Sequence, residues 1–458
     1  MSSVLCCVGR RSGIKLLAAR ACCSALLLGV LGSTAQAQFV RQAVGGISID
    51  AKGVLDNAER DHNGLRQFWL DLLKPVPGDL NQAAKLRKIS LRGLAELIGQ
   101  LDDQAALPDE VRFLAGLQRV EYVLVYPQLN DIVLVGFGEG WKIDDRGNMV
   151  GVTTGRPVMQ LDDLLVALRT AEQAGREAIT CSIDPTQEGL ARLQQMAPQF
   201  MQLNLDPKVV GPQMEKAIGK QKVSFHVVPP TSRFAHVMLA ADYRMKRLGM
   251  NFDQPPVKGL PSYLHMIKGS ARTTPPNMLP RWWLTTNYEP LLTDNEGLVW
   301  QLRGQGVKAM SEEDLLGANG ERTHTGKSSP AAQRWADQMT KKYDELSLKE
   351  PVFGELRNCM DLAVIAALIL KEDLAAKASL DLSPLLDARA YPTEAFNVPT
   401  QVDTKVSYVH ASSAYLLSAS GGVELNTWAE ASRRETTDDL KEMRDQVAEG
   451  RGKSWWWN

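Results

Sequence analysis

Apolar positions along this chain switch between an alternating pattern and a helical one, so strands and helices are expected to interleave. Tyr122 to Tyr126 and Ile132 to Val135 read as strands joined at Pro127 to Asp131. Leu161, Leu164, Leu165 and Leu168 then fall at i, i+3, i+4 and i+7. Asp162 and Asp163 in the first turn and Arg169 near the end suit the dipole of that helix. Ala178 to Ile183 reads as the next strand. Asp184-Pro185 is expected to cap a helix through Leu203, with the proline at its first position. Val223 to Val228 is again a strand. Behind Ser232, Phe234, Val237, Met238, Ala241, Met245 and Leu248 trace one apolar helical stripe.

Three turns share one pattern: Asp50 to Gly53, Asp144 to Gly147 and Asp294 to Gly297, each flanked by apolar residues. The Asp side chain caps the turn and the Gly accepts positive φ, so each predicts a hairpin. The third is expected to join Trp282–Tyr288 to Leu298–Leu302. Nearer the N-terminus, Leu65 to Leu73 and Ala83 to Leu101 carry helical spacing, broken by Pro75 and Pro77. Residues 251–280 are proline-rich and read as a connector, and Ser311 to Pro330 as a polar, mobile loop. Ala331 to Leu348 and Val352 to Ala376 predict helices, the second buried on most sides yet too short to cross a membrane. Val406 to Ala411, Tyr415 to Ser420 and Val423 to Leu425 predict a late β element, and Thr437 to Val447 a charged helix before Trp455-Trp456-Trp457.

The expected class is α+β: a central α/β layer domain with a mixed helical and β-hairpin C-terminal part. The expected segments are 1–37 (signal), 38–110 (hairpin and helices), 111–250 (α/β layer), 251–280 (connector), 281–436 (hairpin and helical domain) and 437–458 (charged helix and Trp-rich tail).

The N-terminus changes this picture most. Arg10, Arg11 and Lys15 precede the apolar run Ala21 to Gly32, and Ala35-Gln36-Ala37 offers a small-x-small cleavage site. This is the grammar of an export signal, cut between Ala37 and Gln38. Periplasm or medium is the expected address, with no transmembrane helix after cleavage. Four of the six cysteines leave with the signal, so Cys181 and Cys359 remain and no disulfide scaffold is possible beyond one bridge. We expect both to be buried free thiols. The formal net charge of −1 becomes more negative once the basic signal is gone, which gives no reason to expect nucleic acid.

No motif names a chemistry. Gly136, Gly138 and Gly140 follow a strand, but the chain continues as Trp141-Lys142-Ile143 into a hairpin rather than a helix, so no dinucleotide cofactor is expected. Gly326-Lys327-Ser328 lacks the upstream glycine at the right spacing and is followed by Pro330. No histidine is followed by Glu, and no serine sits in a Gly-x-Ser-x-Gly elbow. His226 and His236 have no second ligand at metal spacing, so each reads as a structural histidine and no metal is expected. No catalytic residue is assigned.

Two features are candidate binding elements. Arg244, on the helix with Asp242, Lys246 and Arg247, has the fork to hold a carboxylate, while Asp242 and Lys246 are spaced to pair on a solvated face. Trp282, Trp283 and Trp300, with Tyr288, would cluster across the third hairpin, either as core packing or as a stacking platform for sugar or peptide. Trp455 to Trp457 would dock on the body or anchor at a lipid interface.

Several strings resemble a family of exported bacterial proteins carrying a domain of unknown function: Gly155-Arg156-Pro157, Leu161-Asp162-Asp163-Leu164, Cys181-Ser182-Ile183-Asp184-Pro185, Ala241-Asp242-Tyr243-Arg244-Met245-Lys246 and Pro280-Arg281-Trp282-Trp283. The likeness spans about 110 to 380 and implies export and a shared fold, with no catalytic residue to carry over. Two functions follow from the sequence: a non-catalytic binding or assembly protein of the cell envelope, with an envelope protein, peptide or glycan as partner, or a divergent extracytoplasmic hydrolase. A cleft with two carboxylates of displaced pKa would mark the enzyme; an aromatic surface would mark the binder.

Overall fold

Hairpins form at all three Asp-to-Gly turns, and they anchor the architecture. In the computed structural model, residues 47–49, 52–57, 73–100, 107–202, 206–267, 277–409, 414–416, 420–449 and 455–457 are described. The export signal with Ala37 and Gln38, the turn residue Asp50 and nearly all of the helix expected at Leu65 to Leu73 lie outside them. At the other two turns Asp144 accepts from the backbone of Arg146 and Asn148, and Asp294 from Leu298 and Val299. The closing glycines, Gly53, Gly147 and Gly297, all have positive φ.

The fold is α+β, with two mixed sheets. The large sheet runs β1 (Ile47–Ile49), β2 (Val54–Asn57), β15 (Gln401–Asp403), β9 (Lys220–His226), β8 (Ile179–Asp184), β18 (Ser420–Leu425), β10 (Met278–Asn287), β13 (Gly306–Leu316) and β14 (Arg322–His324). The small sheet runs β19 (Arg434–Thr436), β11 (Leu291–Thr293), β12 (Val299–Gln301), β4 (Tyr122–Tyr126), β5 (Asp131–Gly138), β3 (Ala84–Ser90) and β20 (Trp456–Trp457). Two further hairpins pair β6 (Trp141–Ile143) with β7 (Met149–Gly151) and β16 (Ser407–Val409) with β17 (Ala414–Leu416). Segments 38–110, 111–250 and 281–436 each supply strands to both large sheets, so strand pairing runs across those boundaries.

Four helices carry most of the core: α1 (Leu161–Ala174), α2 (Arg233–Gly249), α3 (Pro330–Lys341) and α4 (Pro351–Lys371). Every residue of α4 from Pro351 to Ile369 is buried, the apolar run from Leu362 onward and the ion-paired Glu355, Arg357 and Asp361 alike, and it packs against α1 and α2. Ser232 caps α2 by accepting from Ala235 N. Cys359 on α4 and Cys181 on β8 are buried and free. Among the described residues no helix is long and apolar enough to cross a membrane. Trp455 is buried against the helix Leu91–Gly99, its carbonyl accepting from Ser90 N, so this end of the Trp-rich tail docks on the body.

Several expectations need correction. Ala84–Ser90 is a strand, not the start of a helix, because pairing with β5 and β20 overrides its helix-favouring Ala, Lys and Leu. Asp184 belongs to β8, and the following helix begins at Gln187. The third hairpin joins Leu291–Thr293 to Val299–Gln301, whereas the strand bearing Trp282 pairs with β13 and β18. Most consequentially, the supposed loop at Ser311–Pro330 contains the end of an eleven-residue strand, β13, and the whole of β14.

Candidate functional site

The register of the large sheet gathers charge on one of its faces. Arg281 on β10 lies opposite Glu312 on β13 and Ser420 on β18, and Asp314 on β13 lies opposite His324 on β14. Successive strand residues alternate faces, so Arg281 and Trp283 share the side opposite Trp282 and Leu284. Asp184, two residues after Ser182 on β8, joins the same side through the pairing of Ser182 with Gly422. On β13, Glu312 and Asp314 are buried with their carboxylates tied to partners.

Asp314 is fully buried. Its Oδ1 lies 2.8 Å from His324 Nδ1, its Oδ2 accepts from Ser420 Oγ at 3.3 Å, and Arg322 Nη1 stands 3.7 Å from the same oxygen. Glu312 accepts from Gly326 N at 2.6 Å and from Arg281 Nη1 at 3.1 Å. Arg281 also lies over the Trp283 ring, 4.5 Å from its centroid. Arg322 donates to Asp184 Oδ1 at 2.8 Å. Burial pushes the Asp184 carboxyl up, but Lys246 and Arg322 outweigh it and hold the group below the usual carboxylate range. Against these buried partners the His324 side chain stands 59% exposed, the most accessible member of the cluster.

Lys246 supports the site from α2. Its Nζ donates to Asp242 at 2.8 Å, to the Ile183 carbonyl at 2.9 Å and to the Gly421 carbonyl at 3.3 Å, bridging β8 and β18. Asp242 is fully buried, and burial drives its carboxyl up to about 6 despite the pull of Lys246, with Asp184 pushing the same way. The pair expected on a solvated face is therefore an interior strut. Gly421 is required at this crossing: a Cβ there would sit 1.7 Å from the Trp282 carbonyl oxygen.

The other anticipated residues are placed elsewhere. Arg244 does hold carboxylates, but those of Asp253 and Glu350 in this same chain. Trp282 is fully buried between Tyr263 and Trp335, with ring centroids 5.0 and 4.6 Å away. Trp300 is buried in the small sheet, its indole N–H donating to the Gly297 carbonyl. Trp283 is half-buried beneath Arg281. The three tryptophans thus divide between two sheets and form no common platform. His236 is buried, one hydrogen bond to the Asn397 carbonyl at 3.0 Å, and burial lowers it to about 4. No glycine loop meets a helix N-terminus at Gly136–Gly140, where β5 ends and β6 begins.

Glu312, Asp314 and His324 escaped the sequence reading because they sit in a stretch whose polarity resembles a loop. The available signal was the alternation Glu312, Asp314, with His324 beyond a Gly317–Gly320 turn. No curated protein and no solved structure matches the chain. Residues 181–263, from β8 through α2 to the short helix after it, match the model of a family described as a protein of unknown function (DUF1598), which takes in Asp184, Asp242, Arg244 and Lys246 but not β13 or β14.

Proposed function

We propose that this chain is a non-catalytic binding or assembly protein of the cell envelope, exported after cleavage between Ala37 and Gln38, and that it receives a protein or peptide partner along β14. The observation that carries the reading is the position of β14 as the last strand of the large sheet, with Thr323 and His324 exposed. A terminal strand offers backbone donors and acceptors to an added strand, and flanking side chains supply specificity. The charged groups behind it are neutralised within the chain, which suits recognition more than turnover.

A hydrolase is the second reading, favoured by one observation: His324 is oriented by a buried carboxylate, as a general base would be. Ser420, however, donates to Asp314 and not to the imidazole, so the Ser–His–Asp order of an acyl-transfer triad is not formed.

Capture from envelope extract with the mature chain tests the proposal. The variant carrying Arg322→Ala and His324→Ala should lose the captured partner while keeping its fold by circular dichroism. Equal capture by both proteins would refute it. Intact mass of protein taken from the host should begin at Gln38; a retained signal would contradict export by this route.

A further inference from the structure

We propose that Glu312, Asp314 and His324 form a binding site for a divalent transition-metal ion of the zinc class. Each can present a ligand atom, and these atoms all lie within 4.8 Å of one another. Zinc holds nitrogen and oxygen ligands at about 2.0–2.2 Å, so two ligands of one ion stand about 3–4 Å apart. His324 Nδ1 and Asp314 Oδ1, hydrogen-bonded at 2.8 Å, need to open by less than about 1 Å to reach that spacing. The exposed His324 stands at the open side of the set, where it can turn toward an ion held by the two carboxylates.

Two of the three ligands are carboxylates, which suit a cation and would repel an anion. The geometry is also braced from outside the ligand set. Arg281 and Gly326 N fix Glu312, and Ser420 fixes Asp314. Such supporting bonds orient ligands and limit the reorganisation that binding requires. One imidazole among two carboxylates selects a borderline ion over calcium, which takes six or more oxygens.

The site shares β14 with the proposed partner surface but does not depend on a partner. Titration calorimetry of the purified, chelator-treated mature chain with zinc chloride should give one site of micromolar affinity, and calcium chloride no heat at the same concentrations. His324→Ala, at an exposed position that does not disturb the core, should weaken zinc by about 100-fold, and Glu312→Gln by about tenfold. His226→Ala, at an exposed histidine on β9, should leave the affinity unchanged. Absence of zinc binding, zinc binding unaffected by His324→Ala, or calcium binding as strong as zinc would each overturn the proposal. Failure here leaves the partner reading standing, because capture is measured separately, and equal capture by wild type and the Arg322→Ala, His324→Ala variant, with zinc binding by the wild type intact, would do the reverse.

Discussion

Replacing Asp163 by Asn should remove one component of the pH dependence of folding. Asp163 on α1 and Glu355 on α4 both face Arg233 at the start of α2, with Asp162 and the Cys359 thiol alongside. One guanidinium thus stands between two buried carboxylates, and Asp163 Oδ1 and Glu355 Oε2 have no hydrogen-bond partner. Burial pushes Asp163 from 3.8 up to about 6, with Arg233 pulling down and Glu355 and Asp162 pushing up, and Glu355 is raised as well. Because the folded chain holds this proton more tightly than the unfolded one, the group contributes its full stability below the unfolded pKa. That contribution is lost as pH rises through the folded pKa. A shift of about two pH units corresponds to roughly 3 kcal/mol, most of which falls between pH 4 and pH 7. Urea unfolding of wild type and D163N across that range measures it. The stability difference, wild type minus D163N, should fall by roughly 2–3 kcal/mol as pH rises. His236, buried neutral, contributes with the opposite sign but is common to both proteins and cancels. A difference that stays constant from pH 4 to pH 7 would refute the reasoning.

Two further outcomes follow from the interior of the large sheet. Lys246→Met should cost about 3–5 kcal/mol in chemical denaturation, because Asp242 and two strand carbonyls lose their shared donor. Adding Asp242→Leu should recover part of that loss; no recovery would mean the pair is not the source. Trp282→Ala should cost about 3–5 kcal/mol and change near-ultraviolet circular dichroism from the Tyr263–Trp282–Trp335 stack, whereas a loss below about 1 kcal/mol would argue against its core position.

Local chemistry was legible in the sequence where one short stretch decided the structure. The Asp-to-Gly turns specify their own hairpins through a capping carboxylate and a positive-φ glycine, and α1 and α2 announce themselves by their apolar stripes. Long-range pairing was not legible. Trp282 and Trp300 lie 18 positions apart, yet β10 joins β18 in one sheet while β12 joins β4 in the other. The candidate site failed to show for the same reason. Glu312 and Asp314 read as solvated until Arg281, Ser420 and Gly326, contributed by distant or folded-back chain, supply the bonds that let them be buried. Lys246 and Asp242 kept their predicted pairing but not their predicted surroundings, because i, i+4 spacing fixes the contact and says nothing about what covers it.

We propose β14 as the working edge of the protein. Site-specific photo-crosslinking in the host tests it most directly, with a benzophenone side chain placed at Thr323 and, as a control, at Arg176, which is exposed in the turn after α1. A discrete adduct is expected from position 323 that disappears when His324 is changed to Ala, and none from position 176. No adduct from position 323, or the same adducts from both positions, would contradict it.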